Sequence, residues 1–505
     1  MKRNVGALTV AMLVLVLLPA TAFADLGYGY TVDPQGFRNR APVSYVFDHQ
    51  ITLLPDLQKA AAPSLKNPSD LFIDSNQHLW IADTDNNRLI ELDQNDTMLR
   101  IVGQTDPKAP KTPATLNAPQ GLYVTPDGTI YVADSGNSRI AVFDNAGKFI
   151  KAFGKPVTEL LKTDASYKPT KVAVDRRGYM YVVNGGGDFR GVIELDNAGI
   201  FRGFFGANHN AFNLAGLFTR LFATQEQKRQ IAQVLPSSDS NVFLSNDGFV
   251  YTVSSTAQLG QIKKLNTLGQ NVYKVTTATR FLGLVNDSTA AFFGEKPLFA
   301  GEQLPQFVSI AVDNTGIISA LDAGSGKIYE YDQQGNMLDV FGGKANGIDG
   351  YFDYPSALVI RQNGDIYVLD ASRKNIQVFR QTGFAIKIHE AAVLYYDGRY
   401  QESANIWKQL LRQDANYSLA HDQLGLCYVK LGQFGGTPAD YVFAMQNLQL
   451  AQDRSNFSMA YTQYRHDWAK GNFGLLIGVV FGAIVIIVLV VRPLGRLVEA
   501  AIKMG

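Results

Sequence analysis

The chain has 505 residues, 46% of them hydrophobic, which is enough for a buried core and, at about 100–200 residues per domain, for more than one domain. Its 46 lysines and arginines against 45 aspartates and glutamates leave a formal net charge of +1, so no overall field draws in a polyanion and nucleic acid is excluded as a partner. The single cysteine, Cys427, excludes an internal disulfide, and no Cys/His spacing has the form of a zinc site.

Residues 1–24 open with Lys2 and Arg3, continue as an apolar run to Leu18, and end in the triplet Ala22-Phe23-Ala24. That order of charge, short apolar stretch and small residues predicts a secretory signal peptide cleaved after Ala24. An N-terminal segment, 25–66, follows, and its stretch SYVFDHQITLL at 44–54 alternates like a strand.

From residue 67 a ten-residue core recurs six times: DSNQHLWIAD (74–83), TPDGTIYVAD (125–134), DRRGYMYVVN (175–184), SNDGFVYTVS (245–254), DNTGIISALD (313–322) and RQNGDIYVLD (361–370). Five copies put glycine fourth (Gly128, Gly178, Gly248, Gly316, Gly364), where a tight hairpin turn needs positive φ. Each core is preceded by a short apolar run and followed by a second hairpin, so the unit predicts four short strands. Such units at this period are propeller blades, each too small to bury its own faces, and residues 67–388 are expected to form an all-β six-bladed propeller. The fourth copy is the most degenerate. It follows a helix-patterned insertion at 208–236 and precedes an extension at 276–303. The strand-like 44–54 is placed to close the ring by completing the last blade.

The copy at 119–154 carries P-x-G-[apolar]-x-V, D-G-x-[apolar]-Y-V-A-D, N-x-R-I, F-D-x-x-G-x-F and F-G in register, and this pattern resembles the NHL repeat. Within it, YVADSGNSRI (131–140) is a dense polar knot that resembles a site. Its counterparts at Asp83, Asn86 and Arg88, and at Asn184, Asp322 and Asp370, mark it as a turn made several times over.

After residue 388 the alternation gives way to helical spacing, and 389–470 is expected to be α-helical. Gly398-Arg399-Tyr400 recurs as Gly432-Gln433-Phe434, an offset of 34, and Ala391, Tyr396, Gly398, Tyr400, Ala404, Leu411, Ala420, Leu424, Gly425 and Tyr428 resemble tetratricopeptide packing positions. That resemblance implies a partner protein docked on this region, or a stalk; the propeller face is the alternative docking surface. Phe457, Tyr461, Tyr464 and Trp468 form an aromatic stripe at i, i+4, i+7 and i+11. Residues 473–491 carry no charge and have the length of a transmembrane helix. Arg492, Arg496 and Lys503 follow, so the positive-inside rule makes 492–505 a cytoplasmic tail and places the preceding chain outside the cytoplasm of a single-pass membrane protein.

Catalytic chemistry finds little support. The six histidines include no i,i+4 pair, and no metal or other cofactor is expected. Asp83-Thr84-Asp85-Asn86-Asn87 begins like a calcium loop, but Arg88 stands where its glycine belongs and Gln94 where its glutamate belongs. A third pattern resembles the gluconolactonase group of six-bladed propellers, whose calcium is held on the channel axis by carboxylates and amides. The start of the innermost strand in the six copies reads Asp70, Gly121, Lys171, Asn241, Ser309 and Ala357, and the Lys171 ammonium would repel a cation there. Asp70, Lys171, Asn241 and Ser309 are therefore read as ligand-contacting residues at the channel mouth. The sequence points to a non-enzymatic extracytoplasmic binding or scaffold protein for a partner protein or a carbohydrate-type ligand, accessory to a membrane complex such as a transporter. A tethered lactonase-like or lyase-like enzyme, and a sensor signalling through a partner, are the alternatives.

Overall fold

The computed structural model describes residues 29–502, apart from 34–35, 54–62, 104–110, 159–165, 186–190, 207–238, 277–279, 282–283, 286–287 and 298–302. Residues 1–24, expected to be a signal peptide, and the insertion 208–236 lie outside the described residues. The chain divides into two units, one reaching residue 386 without 33–39, the other comprising 33–39 and everything from 387.

The first unit is a six-bladed β-propeller whose inner strands are Asp70–Ile73, Pro119–Val124, Pro169–Val174, Asn241–Leu244, Phe307–Val312 and Pro355–Ile360. Each pairs antiparallel with the second strand of its blade and forms an edge of its sheet. The turn glycines have φ between 80° and 89°; the first blade places Gln77 there at φ 61°. Blades one, two and three are four-stranded sheets in sequential order.

Two blades borrow chain from the N-terminus. Tyr45–Ile51 pairs with Asn375–Gln381 as the outermost strand of blade six, so the ring is closed by joining the two ends of the propeller sequence. Gly29–Val32 pairs with Met337–Gly342 and widens blade five, an addition that the repeat pattern does not foretell because it lies outside every copy. Blade four departs from the four-strand expectation. Asn241–Leu244, Val250–Val253 and Ile262–Leu265 form its sheet, and the place of the fourth strand is taken by one bridge, Leu265 to Asn271. The next strand, Lys274–Thr276, pairs instead with Ser288–Ala290 of the extension, which supplies a nearer partner.

Stability comes from the seams between blades. Six apolar clusters occupy the six seams, for example Trp80, Leu122, Val132 and Phe143 between blades one and two, and Tyr251, Phe307, Tyr329 and Tyr331 between four and five. A fully buried side chain of this size contributes about 1.5–3 kcal/mol, and no blade can bury both faces alone.

The polar knot at 131–140 is a clamp. Asp134 is fully buried at the end of the second strand; its carboxylate accepts from the Asn117 N–H at 2.7 Å, the Asn137 amide at 2.8 Å and the Arg139 guanidinium at 2.7 Å. Arg139 in turn donates to the Pro113 and Thr115 carbonyls, so the segment arriving from the previous blade is gripped twice. Asp83 repeats this with Lys66 N–H, Asn86 and Arg88, and Asp370 with Asp353 and Tyr354 N–H.

The second unit contains α1 (Gly383–Tyr396, which begins in the first unit), α2 (Tyr400–Gln413), α3 (Ser418–Gln433), α4 (Pro438–Leu450), α5 (Arg454–Gly471) and α6 (Phe473–Ile502). Ser403 Oγ donates to the Ala391 carbonyl, joining α1 to α2, and Tyr441 donates to Asp467 at 2.9 Å, joining α4 to α5. A Cβ at Gly432 would stand 2.7 Å from the Tyr441 ring, so α3 and α4 touch where glycine allows it. Ala391, Ala404, Ala420 and Leu424 are buried as expected, but Tyr396 is 51% exposed and Leu411 only half-buried; Tyr395 and Leu410 take the packing role one residue earlier on the helix. On α5 the aromatic stripe is half-buried at Phe457 and Tyr464 and exposed at Tyr461 and Trp468. Residues Phe473–Arg496 of α6 are long and apolar enough to cross a membrane.

Two outcomes follow from this packing. Asp134→Ala strands the Arg139 charge and the Asn117 N–H, and should lower the unfolding free energy of the propeller by about 3–5 kcal/mol in chemical denaturation of the full-length protein in detergent. In the helical unit, burial and the nearby Asp453 carboxylate push Asp422 from its ordinary 3.8 up to about 8. A carboxyl raised on folding favours the folded state fully below the unfolded value and loses that advantage as pH climbs to the folded value. Hydrogen-exchange protection of α3–α5 should therefore fall between about pH 4 and 8, and Asp422→Asn should flatten the profile.

Candidate functional site

The inner strands converge on an axial cavity of about 510 Å³. Its lining runs along all six, from Asp70, Leu122, Lys171, Asn241, Ser309 and Leu358 at their beginnings to the hairpin turns at Asp74–Gln77, Pro126, Asn246, Asp313–Thr315 and Arg361–Gly364. The turn residues Ser75, Pro126, Asn246, Asn314 and Gln362 are exposed, whereas Asp70, Lys171, Asn241 and Ser309 are all buried. The cavity therefore opens at the turns, and the four residues expected at a channel mouth form its floor.

Cross-strand register confirms that these positions are equivalent. Asp70 faces Ala82, Gly121 faces Ala133, Lys171 faces Val183, Asn241 faces Val253, Ser309 faces Leu321 and Ala357 faces Leu369. In blades two, three, five and six the register shifts immediately before this residue. Such a bulge re-aims the side chain that follows it.

The floor residues are bonded to one another and to neighbouring blades. Lys171 of blade three makes an ion pair with Asp70 of blade one, and the Asp70 carboxylate also accepts from the Leu122 N–H of blade two at 3.1 Å. The lysine reaches across blade two because Gly121 is there: a Cβ on it would stand 2.4 Å from the Thr170 carbonyl and 3.1 Å from the Lys171 chain. Burial raises the Asp70 carboxyl above its ordinary value, opposed by the Lys171 charge and by the Leu122 and Leu71 N–H groups. On the other side of the ring Asn241 donates to the Val308 carbonyl at 3.1 Å and to Ser309 Oγ at 3.4 Å. Ser309 Oγ then accepts from the Leu358 N–H at 3.1 Å.

One cluster of metal-ligand residue types was not foreseen. Asp74, His78 and Glu91 come together beside the first turn of blade one. The sequence hides it because Glu91 lies on the third strand, brought in by strand pairing. Its atoms have protein partners. Asp74 accepts from the Asn76 and His78 N–H groups and from Trp80 Nε1, and Glu91 pairs with His78 at 2.8 Å and with Arg100.

Replacing one partner of the floor ion pair leaves a buried charge without compensation, which costs about 3–5 kcal/mol, whereas neutralising both costs far less. Lys171→Met should accordingly destabilise the propeller strongly, and Asp70→Asn added to it should restore most of the loss in a double-mutant cycle read by thermal unfolding.

Residues 116–143 match the family model described as NHL repeat. Among curated proteins the chain is 33% identical over 107 residues to NHL repeat-containing protein 3 of Homo sapiens, covering 20% of this chain and 30% of that one, and 34% identical over 97 residues to its Mus musculus counterpart, covering 18% and 27%. It thus spans under a third of the length of those relatives. Solved structures that resemble it include a streptogramin B lyase (11% identity, TM-score 0.39, 71% of this chain and 87% of that one) and a gluconolactonase from Xanthomonas campestris (11% identity, TM-score 0.39, 71% and 99%). Likeness at that level transfers neither activity. The chain is a six-bladed β-propeller bearing an NHL repeat, followed by C-terminal helices of which the last is apolar enough to span a membrane.

Proposed function

We propose that this chain is a membrane-held, extracytoplasmic binding module without catalytic activity of its own, serving a membrane complex such as a transporter. The observation that carries this reading is the state of the cavity floor. Hydrolytic and lyase chemistry needs a base, an acid or metal ligands displayed to the substrate. Here the one floor carboxylate is bound to Lys171 and to Leu122 N–H, and the floor amide and hydroxyl are engaged between blades.

Membrane attachment is supported by α6, and the orientation by Arg492, Arg496 and Lys503 beyond it, together with the signal-like residues 1–24. The helical unit supplies the protein-docking surface in this reading. Tyr400 stacks on Phe434 with ring centroids 5.9 Å apart, and Phe434 is 73% exposed, a placement suited to an aromatic contact with a partner.

A photo-crosslinking residue at Phe434 of the full-length protein in its native membranes should trap one discrete membrane-complex component, while the same residue at Ile150 on the outer strand of blade two should not. Purified protein should leave lactones intact. Calcium-dependent lactone hydrolysis that Asp70→Asn abolishes, with no partner trapped, would replace this reading by the enzymatic one.

A further inference from the structure

We propose that the axial cavity binds a neutral polyhydroxy compound, a sugar or polyol, entering through the hairpin-turn mouth; this rests on the binding reading above and specifies its ligand class.

The first argument is hydrogen-bond polarity. Each inner strand is an edge of its sheet, paired on one side only, so the side toward the axis presents backbone N–H and C=O groups in alternation. Beyond the floor, where the Leu122 and Leu358 N–H groups and the Val308 carbonyl are already bonded, a ligand lying along these edges meets donors and acceptors together. Hydroxyl groups both donate and accept, and so satisfy either kind without leaving buried groups unpaired.

The second argument is charge. Among the described residues five charged side chains line the cavity: Asp70, Asp74, Lys171, Asp313 and Arg361. Each is already engaged. Asp70 and Lys171 hold each other, Arg361 donates to Asp96 at 2.6 Å, Asp74 accepts from two backbone N–H groups and Trp80, and Asp313 accepts from the Thr315 and Ile317 N–H groups. Three aspartates against one lysine and one arginine leave a lining of net −1, so an anion would be repelled and would find no uncommitted cation.

The third argument is the mouth itself. Gln77, Asn246, Asn314 and Gln362 bring neutral amides from blades one, four, five and six. The Gln362 backbone N–H donates to Gln77 Oε1 at 3.0 Å and Asn246 Nδ2 donates to Asn314 Oδ1 at 2.8 Å, which holds three of these amides in place while their remaining atoms can meet hydroxyls. The volume of about 510 Å³ lies within the range of small-molecule sites.

The test uses full-length protein in detergent and saturation-transfer NMR, followed by equilibrium dialysis, with D-glucose, D-galactose, N-acetylglucosamine, maltose and cellobiose as neutral probes and D-gluconate as the anionic control. At least one neutral probe should bind saturably and at least tenfold more tightly than gluconate. Asn314→Ala with Gln362→Ala, both at exposed turns, should weaken it about tenfold with the melting temperature unchanged. Gly121→Val, which blocks the path of Lys171, should also weaken binding. The proposal is overturned if no neutral probe binds, if gluconate binds as well as the best of them, or if the mouth pair leaves affinity untouched. Loss of sugar binding while a partner is still trapped through Phe434 would remove this inference alone; lactone turnover would remove the reading beneath it.

Discussion

The propeller depends on one buried interaction, the side-chain oxygen at the end of the second strand that in five of the six blades grips the segment leading into the inner strand. Apolar seams drive the blades together but are non-directional, and on their own would let neighbouring sheets slide. Asp134, Asp83, Asp322 and Asp370 supply direction: each accepts a backbone N–H from the residues just ahead of its own inner strand. Where the position is Asn184, the side chain does the same through Lys168 N–H at 2.6 Å, so the geometry rather than the charge is what recurs. An isolated reading of the motif around Asp134 would take it for a site. Its burial and its full complement of donors show instead a structural joint.

That joint also fixes where the inner strand starts, and hence which residue reaches the axis. A second belt of hydrogen bonds follows from it. Ser69 Oγ donates to the Gln120 carbonyl, Ser240 Oγ to that of Phe307, and Ser356 Oγ to that of Pro68, each linking one blade to the next around the ring. The final link joins blade six to blade one directly, which complements the closure made by Tyr45–Ile51. The ring is thus closed at its inner rim by side chains and at its outer rim by strand pairing.

Much of this was legible in the sequence because the repeat carries it. Strand period, turn glycines and the clamp aspartates recur at fixed spacing, and the six floor positions align by that spacing alone. The parts that were not legible depend on contacts the repeat does not encode. Gly29–Val32 joins blade five through long-range pairing; blade four gives up most of its outer strand to a local competitor; and Glu91 meets His78 only across a sheet. In the helices the error was one of phase. Tyr395 and Tyr396 are both aromatic, and which of them faces inward depends on the helix's neighbours, which a motif offset of 34 does not resolve.

The floor shows the same limit from another side. Type and alignment revealed that Asp70, Lys171, Asn241 and Ser309 break the repeat, but not whether they face water or each other. What decides it is the residue between them. Gly121, unremarkable as one small residue in a strand, leaves the gap through which Lys171 crosses a whole blade to Asp70. A Cβ there would press on the Thr170 carbonyl and on the Lys171 side chain that makes the crossing. With glycine these two charges pair at the floor of the cavity. A single absent Cβ thus lets two of the cavity's charged side chains neutralise each other at its floor.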